Sequence, residues 1–517
     1  MKKWLSLVLT LALLFAVACA QAEVPKLTDE PVTFTAIASQ AVHSADFNTM
    51  RFWVELEEQT GVHIDFTMWD ASIVNEKLAA MLASGEYPDI SFVSLGDADT
   101  YLYGQYGEIL PLNDLLEAYA PNWQAVFEQY PEVKAAITMP DGNIYALPFI
   151  RYDATNYGMR DAMLINKVWL EKLGLEMPTT TDELLEVLRA FKTQDPNGNG
   201  EADEIPFITR FDTYTNGVFD VFGWFGNYTG SNSDKFYIAV RDGQVYLTAT
   251  EETYKQAVQY LHQLYSEGLL DADFATQETA EFQSKLKYDT MITGMVPLYH
   301  GATEFGYETV SENFAALPPL QTGNGEEPVS RQQLNTIERN RAVIFRTNPN
   351  PELTMRWLDV LASPEVSLKS FYGYVGTHLI AEEDGTFTPD AEPYATRTLD
   401  VPANLGGSFA LTEQVVNMVN KSAGGDLLRK QFEEIYAPYR MPLENIYPNL
   451  FLTTEQNDAL TAAGVVEWNS YITTTMAKWI TEGGIEEEWE AYVTEVEKLT
   501  APSLAIYQEA LDVYNGK

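Results

Sequence analysis

Alternating apolar and polar residues near the beginning of the chain predict a β-α-β unit. Residues 32–38 read Val-Thr-Phe-Thr-Ala-Ile-Ala, residues 48–59 place apolar side chains at helical spacing, and residues 62–66 alternate again. A period of two indicates a strand, and a period near 3.6 indicates an amphipathic helix. A strand, a helix and a strand in this order are typical of an α/β fold with a parallel sheet.

The same pattern continues into a third strand. Residues 73–83 have the spacing of a helix, and residues 89–93 read Asp-Ile-Ser-Phe-Val. Open α/β sheets bind their ligands in the crevice beyond the carboxyl ends of the strands. We therefore expect ligand contacts in the loops that follow Ala38 and Val93.

Helical patterns dominate much of the remaining chain. Threonines and early acidic residues at 179–183 indicate the start of a helix, and an amphipathic stripe runs through 254–267. The stripe is more typical of core packing than of a ligand site. The length of 517 residues predicts two or three domains.

The composition indicates a folded and strongly acidic protein. Hydrophobic residues make up 46% of the chain, and 75 Asp and Glu against 32 Lys and Arg give a formal net charge of −43. Nucleic-acid binders need basic surfaces to contact phosphates, so we expect no nucleic-acid partner. The net charge neither favours nor excludes a neutral ligand, because the electrostatic field of the protein acts on charged partners.

The first 22 residues have the order of a secretory signal peptide. Lys2 and Lys3 precede an apolar run that ends in small residues around Cys19. The sequence Ala-Val-Ala-Cys at 16–19 resembles a bacterial lipobox, which predicts a lipidated Cys19 and anchoring on the extracellular face of the membrane. Cleavage by an ordinary signal peptidase, followed by secretion, is the alternative. An uncleaved anchor is disfavoured because the run is shorter than the roughly 20 residues that span a bilayer.

The sharpest chemical motif is an oxygen-rich loop at 195–204, which reads Asp-Pro-Asn-Gly-Asn-Gly-Glu-Ala-Asp-Glu. Its side-chain oxygens at the first, third, fifth and ninth positions, with glycine at the sixth, have the spacing of an EF-hand calcium loop. Pro206 stands where an EF-hand has its bidentate Glu. Glu204 or a distant carboxylate would therefore have to complete the shell. The alternative is an Asx-rich turn without metal.

Common catalytic motifs do not occur in the sequence. It contains no His-Glu-x-x-His, no Gly-x-Ser-x-Gly, no Walker-type loop and no Gly-x-Gly-x-x-Gly. The sequence does not exclude a carboxylate pair for glycoside hydrolysis, because a chain with so many acidic residues always contains a possible pair. We expect a protein that is not an enzyme.

The aromatic residues suggest a carbohydrate ligand. The chain has 29 Tyr, 25 Phe and 10 Trp, and aromatic planes can stack on the apolar faces of sugar rings. Most such side chains nevertheless belong to protein cores. The candidates for ligand binding, chosen by their positions near strand ends or in glycine-flanked loops, are Asp97, Tyr101, Arg151, Tyr152, Trp224, Tyr299 and Tyr374.

Several segments, in the same order, resemble the extracellular solute-binding lipoproteins of carbohydrate ABC transporters, the family 1 solute-binding proteins. They are Ala-Ser-Gly-Glu-Tyr-Pro-Asp-Ile at 83–90, Asn-Lys-Val-Trp-Leu-Glu-Lys-Leu-Gly-Leu at 166–175, the loop at 195–204 and Leu-Tyr-Ser-Glu-Gly-Leu-Leu-Asp at 264–271. Members that bind alginate oligosaccharides carry a very similar loop that holds calcium. The resemblance implies a structural calcium ion bound by Asp195, Asn197, Asn199, Glu201, Asp203 and Glu204.

The resemblance also implies the fold and the partners. The expected fold is α/β and two-lobed, of the periplasmic-binding-protein type II class, with hinge strands and a ligand cleft between closing lobes. Residues 24–147 and 300–368 would form one lobe, and 148–299 and 369–517 the other. The partners would be an oligosaccharide and the permease subunits of an ABC importer, with the protein a monomer. The alternatives are a secreted polysaccharide-degrading enzyme and a binding protein of the same fold for a peptide or another solute.

Overall fold

The structure is a computed structural model in which the chain divides into two compact units. Unit 1 takes its residues from 1–156, 335–421 and 451–454, and unit 2 takes its residues from 157–334, 422–450 and 455–517. The described residues are 24–40, 44–152, 157–159, 161–211, 217–230, 237–286, 290–299, 305–334, 336–390, 396–403, 406–420 and 424–516. The predicted signal peptide and Cys19 lie outside them.

The described strands are numbered in chain order: β1 Val32–Gln40, β2 Val62–Asp70, β3 Ile90–Ser91, β4 Leu147–Arg151, β5 Tyr157–Met159, β6 Asp161–Asn166, β7 Ile205–Phe207, β8 Ile238–Arg241, β9 Gln244–Leu247, β10 Thr293–Tyr299, β11 Phe314–Ala316, β12 Gln332–Leu334, β13 Ile337–Ile344, β14 Leu379–Ala381, β15 Phe387–Pro389 and β16 Ala410–Leu411.

The described α-helices are numbered in the same way: α1 Arg51–Thr60, α2 Val74–Ser84, α3 Asp97–Gln105, α4 Asn113–Tyr119, α5 Pro121–Gln129, α6 Pro131–Ile137, α7 Lys167–Leu173, α8 Thr181–Thr193, α9 Glu252–Ser266, α10 Thr279–Leu286, α11 Tyr307–Asn313, α12 Pro351–Leu361, α13 Pro364–Tyr372, α14 Glu413–Val416, α15 Gly424–Tyr436, α16 Thr454–Ala462, α17 Val465–Glu482 and α18 Ile485–Tyr514. None of these helices is long and apolar enough to cross a membrane.

Unit 1 begins with the predicted β-α-β unit. β1 and β2 pair in parallel along their whole length. The helix between them, α1, buries Phe52, Trp53 and Leu56 on one face. Gly61 ends α1 with a φ of 78°, a left-handed conformation that glycine adopts without steric cost. The local hydrophobic pattern therefore specified both the elements and their order.

Six described strands form the main sheet of unit 1, in the order β16-β4-β13-β3-β1-β2. β3 is parallel to β1, and β16 is parallel to β4. β13 is antiparallel to both of its neighbours, β3 and β4. A strand from late in the chain thus lies in the middle of the sheet, between two strands from the N-terminal part.

Aromatic side chains fill the core behind this sheet. The rings of Trp53 and Trp357 stack with centroids 5.9 Å apart, and Phe92 lies 6.2 Å from both. Phe149 of β4 packs edge to face with Phe409 at 5.8 Å. Burying side chains of this size contributes about 2 to 3 kcal/mol each. The core therefore holds β3 and β4 firmly at the positions from which the candidate residues project.

Unit 2 has a smaller sheet and a helical layer. Its described strands follow the order β11-β6-β10-β7, with β6 antiparallel to both β10 and β11, and β7 parallel to β10. The helices α9, α17 and α18 meet through aromatic rings. Tyr254 stacks on Tyr492 at 6.4 Å, and Trp479 meets Tyr492 edge on at 4.7 Å.

The expected two-lobed α/β fold is confirmed by the two units, whereas the bounds of the units differ from the predicted lobes. Residues 305–334 belong to unit 2, because β11 pairs with β6 and β12 pairs with β5. Residues 369–420 belong to unit 1, because β16 pairs with β4. Strand pairing between distant segments set these bounds, and no local pattern in the sequence reports it.

Candidate functional site

The loop after β3 leads into a carboxylate that two side chains hold. β3 ends at Ser91, and Gly96 precedes α3, whose first residue is Asp97. Oδ1 of Asp97 accepts a hydrogen bond of 2.7 Å from Nδ2 of Asn340, and Oδ2 pairs with the guanidinium group of Arg339. Charge-assisted bonds of this kind fix the position of a carboxylate. The side chain of Asp97 is 34% exposed, so a ligand can reach it.

A bulge in β13 positions both partners of Asp97. The register between β13 and β4 shifts between Glu338 and Ala342. Within this stretch Asn340 has a φ of 58°, in the left-handed region that residues other than glycine rarely occupy. The side chain of Arg339 is only 7% exposed, and its guanidinium carbon lies 4.0 Å from the ring centre of Phe451. Bulges and strained backbone of this type concentrate beside functional sites.

A second group of charges surrounds Glu338 in the same strand. Nη1 of Arg151, at the end of β4, lies 3.3 Å from Oε1 of Glu338, and Nη1 of Arg341 lies 3.4 Å from Oε2. The guanidinium carbon of Arg151 also lies 4.9 Å from the ring centre of Phe371. Burial lowers the pKa of Arg341, while the charge of Glu338 raises it. Since arginine stays charged in proteins, this group carries net positive charge.

Four consecutive residues of β13, Glu338 to Arg341, therefore organise both groups of charges. None of the four was among the residues predicted from the sequence. The signal was nevertheless present, because Glu-Arg-Asn-Arg interrupts a strand that is otherwise apolar, between Ile337 and the run Ala-Val-Ile-Phe at 342–345. A run of charges inside a buried strand is unusual enough to mark a site.

In the structure, Asp97 and Arg151 both contact residues of β13. The other predicted ligand residues in unit 1 pack or form hydrogen bonds with neighbouring side chains. Tyr101 is 6% exposed and belongs to a core cluster of unit 1. The hydroxyl of Tyr152 donates a hydrogen bond of 2.7 Å to Glu132. Tyr374 is 6% exposed, and the guanidinium carbon of Arg51 lies 3.7 Å above its ring. The rings of Tyr101 and Tyr374 are thus largely used in packing.

Trp224 was predicted as a ligand contact because glycines flank it, but the structure places it in the core of unit 2. Its side chain is 2% exposed and meets Tyr260 edge on at 6.4 Å. Gly226 ends the short 3-10 helix Val218–Phe225 with a φ of 79°, and a Cβ atom at Gly223 would lie 2.1 Å from the carbonyl oxygen of Val329. The glycines thus serve a turn and a close backbone approach. Tyr299, another predicted contact, ends β10, and its side chain lies outside the described residues.

The loop at 195–204 is organised by its own polar side chains. The carboxylate of Asp195 accepts hydrogen bonds from the backbone N–H groups of Gly198, at 2.8 Å, and Gly200, at 3.1 Å. Gly200 has a φ of 79°, as the predicted sharp turn requires. The first half of the loop is therefore wrapped around the carboxylate of its first residue.

The second half of the loop uses amide side chains. Oδ1 of Asn197 accepts from the N–H of Asn199 at 3.0 Å, and Oδ1 of Asn199 accepts from the N–H of Glu201 at 2.7 Å. The two side-chain amides donate to Asp203 at 2.8 and 2.9 Å. Over the described ranges, no three His, Cys, Asp or Glu side chains are grouped so that they could hold a metal. A calcium ion here would therefore also need amide and carbonyl oxygens, which calcium accepts.

Glu204 adds a partly buried carboxylate to this loop. Its Oε1 atom is buried and has no hydrogen-bond partner among the described residues. Burial raises the pKa of Glu204, the backbone N–H groups of Glu204 and Asn197 lower it, and the charges of Asp203 and Asp195 raise it further. A buried carboxylate oxygen without a partner is costly, and a hard cation would satisfy it. The residues present therefore fit a calcium ion.

Comparison with known proteins places the chain in a family. The family described as "Bacterial extracellular solute-binding protein" matches residues 25–367. The chain belongs to this family. The resemblance inferred from the sequence is thereby confirmed.

This solute-binding protein is similar over nearly its whole length to a relative from Streptococcus pneumoniae serotype 4. That relative, the "Fructooligosaccharide ABC transporter substrate-binding protein FusA", is 33% identical over 93% of this chain and 90% of its own length. The structure of FusA in complex with kestose superimposes with a TM-score of 0.81 at 30% identity, covering 94% of this chain and 99% of FusA.

A second solved relative agrees in fold. An "HMO binding ABC-transporter associated Solute Binding Protein" from Bifidobacterium longum infantis superimposes with a TM-score of 0.82 at 26% identity. The superposition covers 94% of this solute-binding protein and 99% of the relative. The two-lobed α/β class expected from the sequence is the fold of these relatives.

Proposed function

We propose that this solute-binding protein is the substrate-capturing subunit of an ABC importer and that its substrate is an oligosaccharide. The observation that carries the proposal is the 33% identity to a fructooligosaccharide ABC transporter protein over 93% of the chain. The likeness to a solute-binding protein named for HMO binding supports the same role. The permease subunits of the importer are the proposed protein partner.

The candidate site has the chemistry that an oligosaccharide requires. A sugar hydroxyl can donate one hydrogen bond and accept others, so carboxylate and guanidinium groups together can hold it. We assign Asp97 and Arg151 as direct contacts, because both retain some exposure and both end or follow a strand of the sheet. Arg339 and Asn340 act through Asp97 as positioning residues. Tyr152 and Tyr299 stay predicted contacts.

The proposed activity is binding and release without covalent chemistry. The family and the relatives compared above are solute-binding proteins. Incubating the protein with each sugar that it binds should leave the sugar intact by chromatography. A product that increases with protein concentration would instead favour the secreted polysaccharide-degrading enzyme.

The proposed location is the extracellular face of the bacterial cell membrane. Residues 1–22 would direct export, and a lipid on Cys19 would anchor the mature protein, which we expect to be monomeric. The family description as extracellular supports export. Mass spectrometry of the protein extracted from membranes tests the lipid, and Cys19→Ala should release the protein into the medium.

Calcium is proposed as a structural ion of unit 2. The ligands would be Asp195, Asn197, Asn199, the carbonyl group of Glu201, Asp203 and Glu204. Besides the buried oxygen of Glu204, the proposal is supported by a solved structure of a FusA "EF-hand mutant", which superimposes with a TM-score of 0.81 at 30% identity. The ion would fix the loop and take no part in contacting the sugar.

Thermal melting of residues 24–517 with a panel of ligands tests the proposed function. The panel should contain kestose, other fructooligosaccharides, oligosaccharides built on galactose and glucose, uronate oligomers and short peptides. A ligand at 100 times its dissociation constant stabilises by about 2.7 kcal/mol, which shifts the melting temperature visibly. A shift with one class of oligosaccharide is expected. A shift with peptides alone would overturn the substrate class.

A further inference from the structure

A groove lies among α4, α5 and α6 of unit 1 and the segment that precedes β4. Its volume is about 540 Å³, within the range of roughly 300 to 1,000 Å³ that small-molecule sites usually have. Leu116 and Ile144 are its buried lining residues, and the ring of Phe127 is half-buried beside them. The polar lining residues are Asn113, Glu117, Gln124, Glu128 and Lys134.

Two amide side chains fix the walls of the groove. Nδ2 of Asn113 donates a hydrogen bond of 3.1 Å to the carbonyl group of Gly142, and its Oδ1 accepts one of 2.9 Å from the N–H of Ile144. Nε2 of Gln124, in α5, donates to two carbonyl groups of α4 at 2.8 and 2.6 Å. These bonds tie the lining elements to one another, so the groove exists before any ligand enters it.

Three charged side chains of the groove have no partner elsewhere in the described part of the chain. Glu117, Glu128 and Lys134 form no ion pair and no side-chain hydrogen bond there. The ring of Phe127 packs on Trp123 with centroids 5.8 Å apart and stays partly exposed beside these charges. Charged groups next to a partly exposed ring in a preformed groove are the elements of a ligand site.

We propose that this groove is a second saccharide-binding site, which takes one or two residues of a neutral glycan. The ring of Phe127 would stack on the apolar face of a sugar ring, Glu117 and Glu128 would accept hydrogen bonds from hydroxyl groups, and Lys134 would donate one. The excess of carboxylates and the overall charge of −43 disfavour an anionic ligand. A basic peptide is the competing occupant, because Glu117 and Glu128 outnumber Lys134, and tri-lysine represents it in the test below. None of the residues that line the groove belongs to the candidate site at Asp97.

Isothermal titration of the mature chain with kestose, maltotriose and N-acetyllactosamine tests this proposal. For at least one sugar, two molecules should bind per protein chain, one at a tight site and one at a weaker site; each is called an equivalent below. Phe127→Ala should raise the dissociation constant of the weaker equivalent by about tenfold, the loss expected for one aromatic contact. Glu128→Gln, at an exposed helix position, should weaken the same equivalent without any risk to the core.

Control variants separate this proposal from the proposed function. Tyr106→Ala, at a side chain that is 70% exposed in the same unit, should change neither equivalent. Asp97→Asn should weaken only the tight equivalent. If the tight binding event is absent while the weaker event that depends on Phe127 persists, the proposed function is wrong and the saccharide site in the groove is supported. Three results would contradict the saccharide site in the groove. They are a single binding event for every sugar, a weaker event that neither groove variant changes, and binding of tri-lysine in place of sugar.

Discussion

Asp97 and Arg339 form an ion pair although 242 positions separate them in the sequence. Asp97 is the first residue of α3, which follows the N-terminal β-α-β segment, and Arg339 belongs to β13, which enters the same sheet much later in the chain. Asn340 completes the arrangement with a hydrogen bond to the other oxygen of Asp97. Two distant segments thus supply one fixed carboxylate.

Asp97→Asn should weaken sugar binding while the protein stays folded. Asparagine keeps the size of the side chain but removes the charge, and hydrogen bonds to charged groups contribute about 1.5 to 3 kcal/mol. We therefore expect a dissociation constant about 10 to 100 times higher for the sugar that gives the largest melting shift. Glu108→Gln is the matched control, since it removes the pair between Glu108 and Arg346 in the same unit. Equal affinities of Asp97→Asn and the native protein would remove Asp97 from the site.

Trp224→Ala should lower stability far more than a surface change does. Replacing a fully buried Trp by Ala costs about 3 to 5 kcal/mol, because the protein loses buried area and gains a cavity. Urea unfolding measures this difference, with Tyr106→Ala as the control at an exposed ring. An unchanged midpoint together with lost sugar binding would instead return Trp224 to the ligand site.

Removing calcium should destabilise unit 2. A chelator should lower its melting temperature, and adding calcium should restore it, because an ion that binds only the folded state stabilises by mass action. Asp203→Asn should abolish most of this effect by removing a ligand charge. Asp242→Asn, which makes the same charge change in the exposed β8–β9 turn, should respond to calcium like the native protein. A melting curve indifferent to both chelator and calcium would contradict the metal.

The stability of unit 1 should depend on the ionisation of Asp359. Its carboxylate accepts backbone hydrogen bonds from Trp123 at 3.0 Å and Asn122 at 3.3 Å, and burial raises its pKa to about 6. Because the folded-state pKa is raised, the stabilising contribution is full below the unfolded pKa, near 3.8, and is lost as pH rises through about 6. The difference corresponds to about 3 kcal/mol.

Asp359→Asn should remove this part of the pH dependence. Relative to the native protein, the variant should gain free energy of unfolding as the pH rises from about 4 to about 6, and the difference should stay constant at higher pH. Asp114→Asn, at an exposed position of α4, should follow the native protein across the same interval. Parallel curves for Asp359→Asn and the native protein would show that this carboxyl group does not titrate as described.

Local patterns predicted the start of unit 1 and the position of Asp97. β1, α1 and β2 followed from apolar spacing within short windows, and Asp97 followed from the rule that ligands bind after strand ends. Arg339 could not be predicted in this way, because its approach to Asp97 depends on the insertion of β13 between β3 and β4. Trp224 was selected because glycines flank it, but glycine also marks turns and close packing, and these are the roles of Gly223 and Gly226.

The central place of β13 also sets an order of folding during export. β3 and β4 both lack their shared neighbour until residues 337–344 have been synthesised, and strand edges without a partner invite aggregation. The strands of the four-stranded sheet of unit 2 all lie within 161–316, so that sheet can close earlier. We therefore expect the four-stranded sheet of unit 2 to form before the sheet of unit 1, and the nascent N-terminal strands to depend on chaperones until β13 arrives.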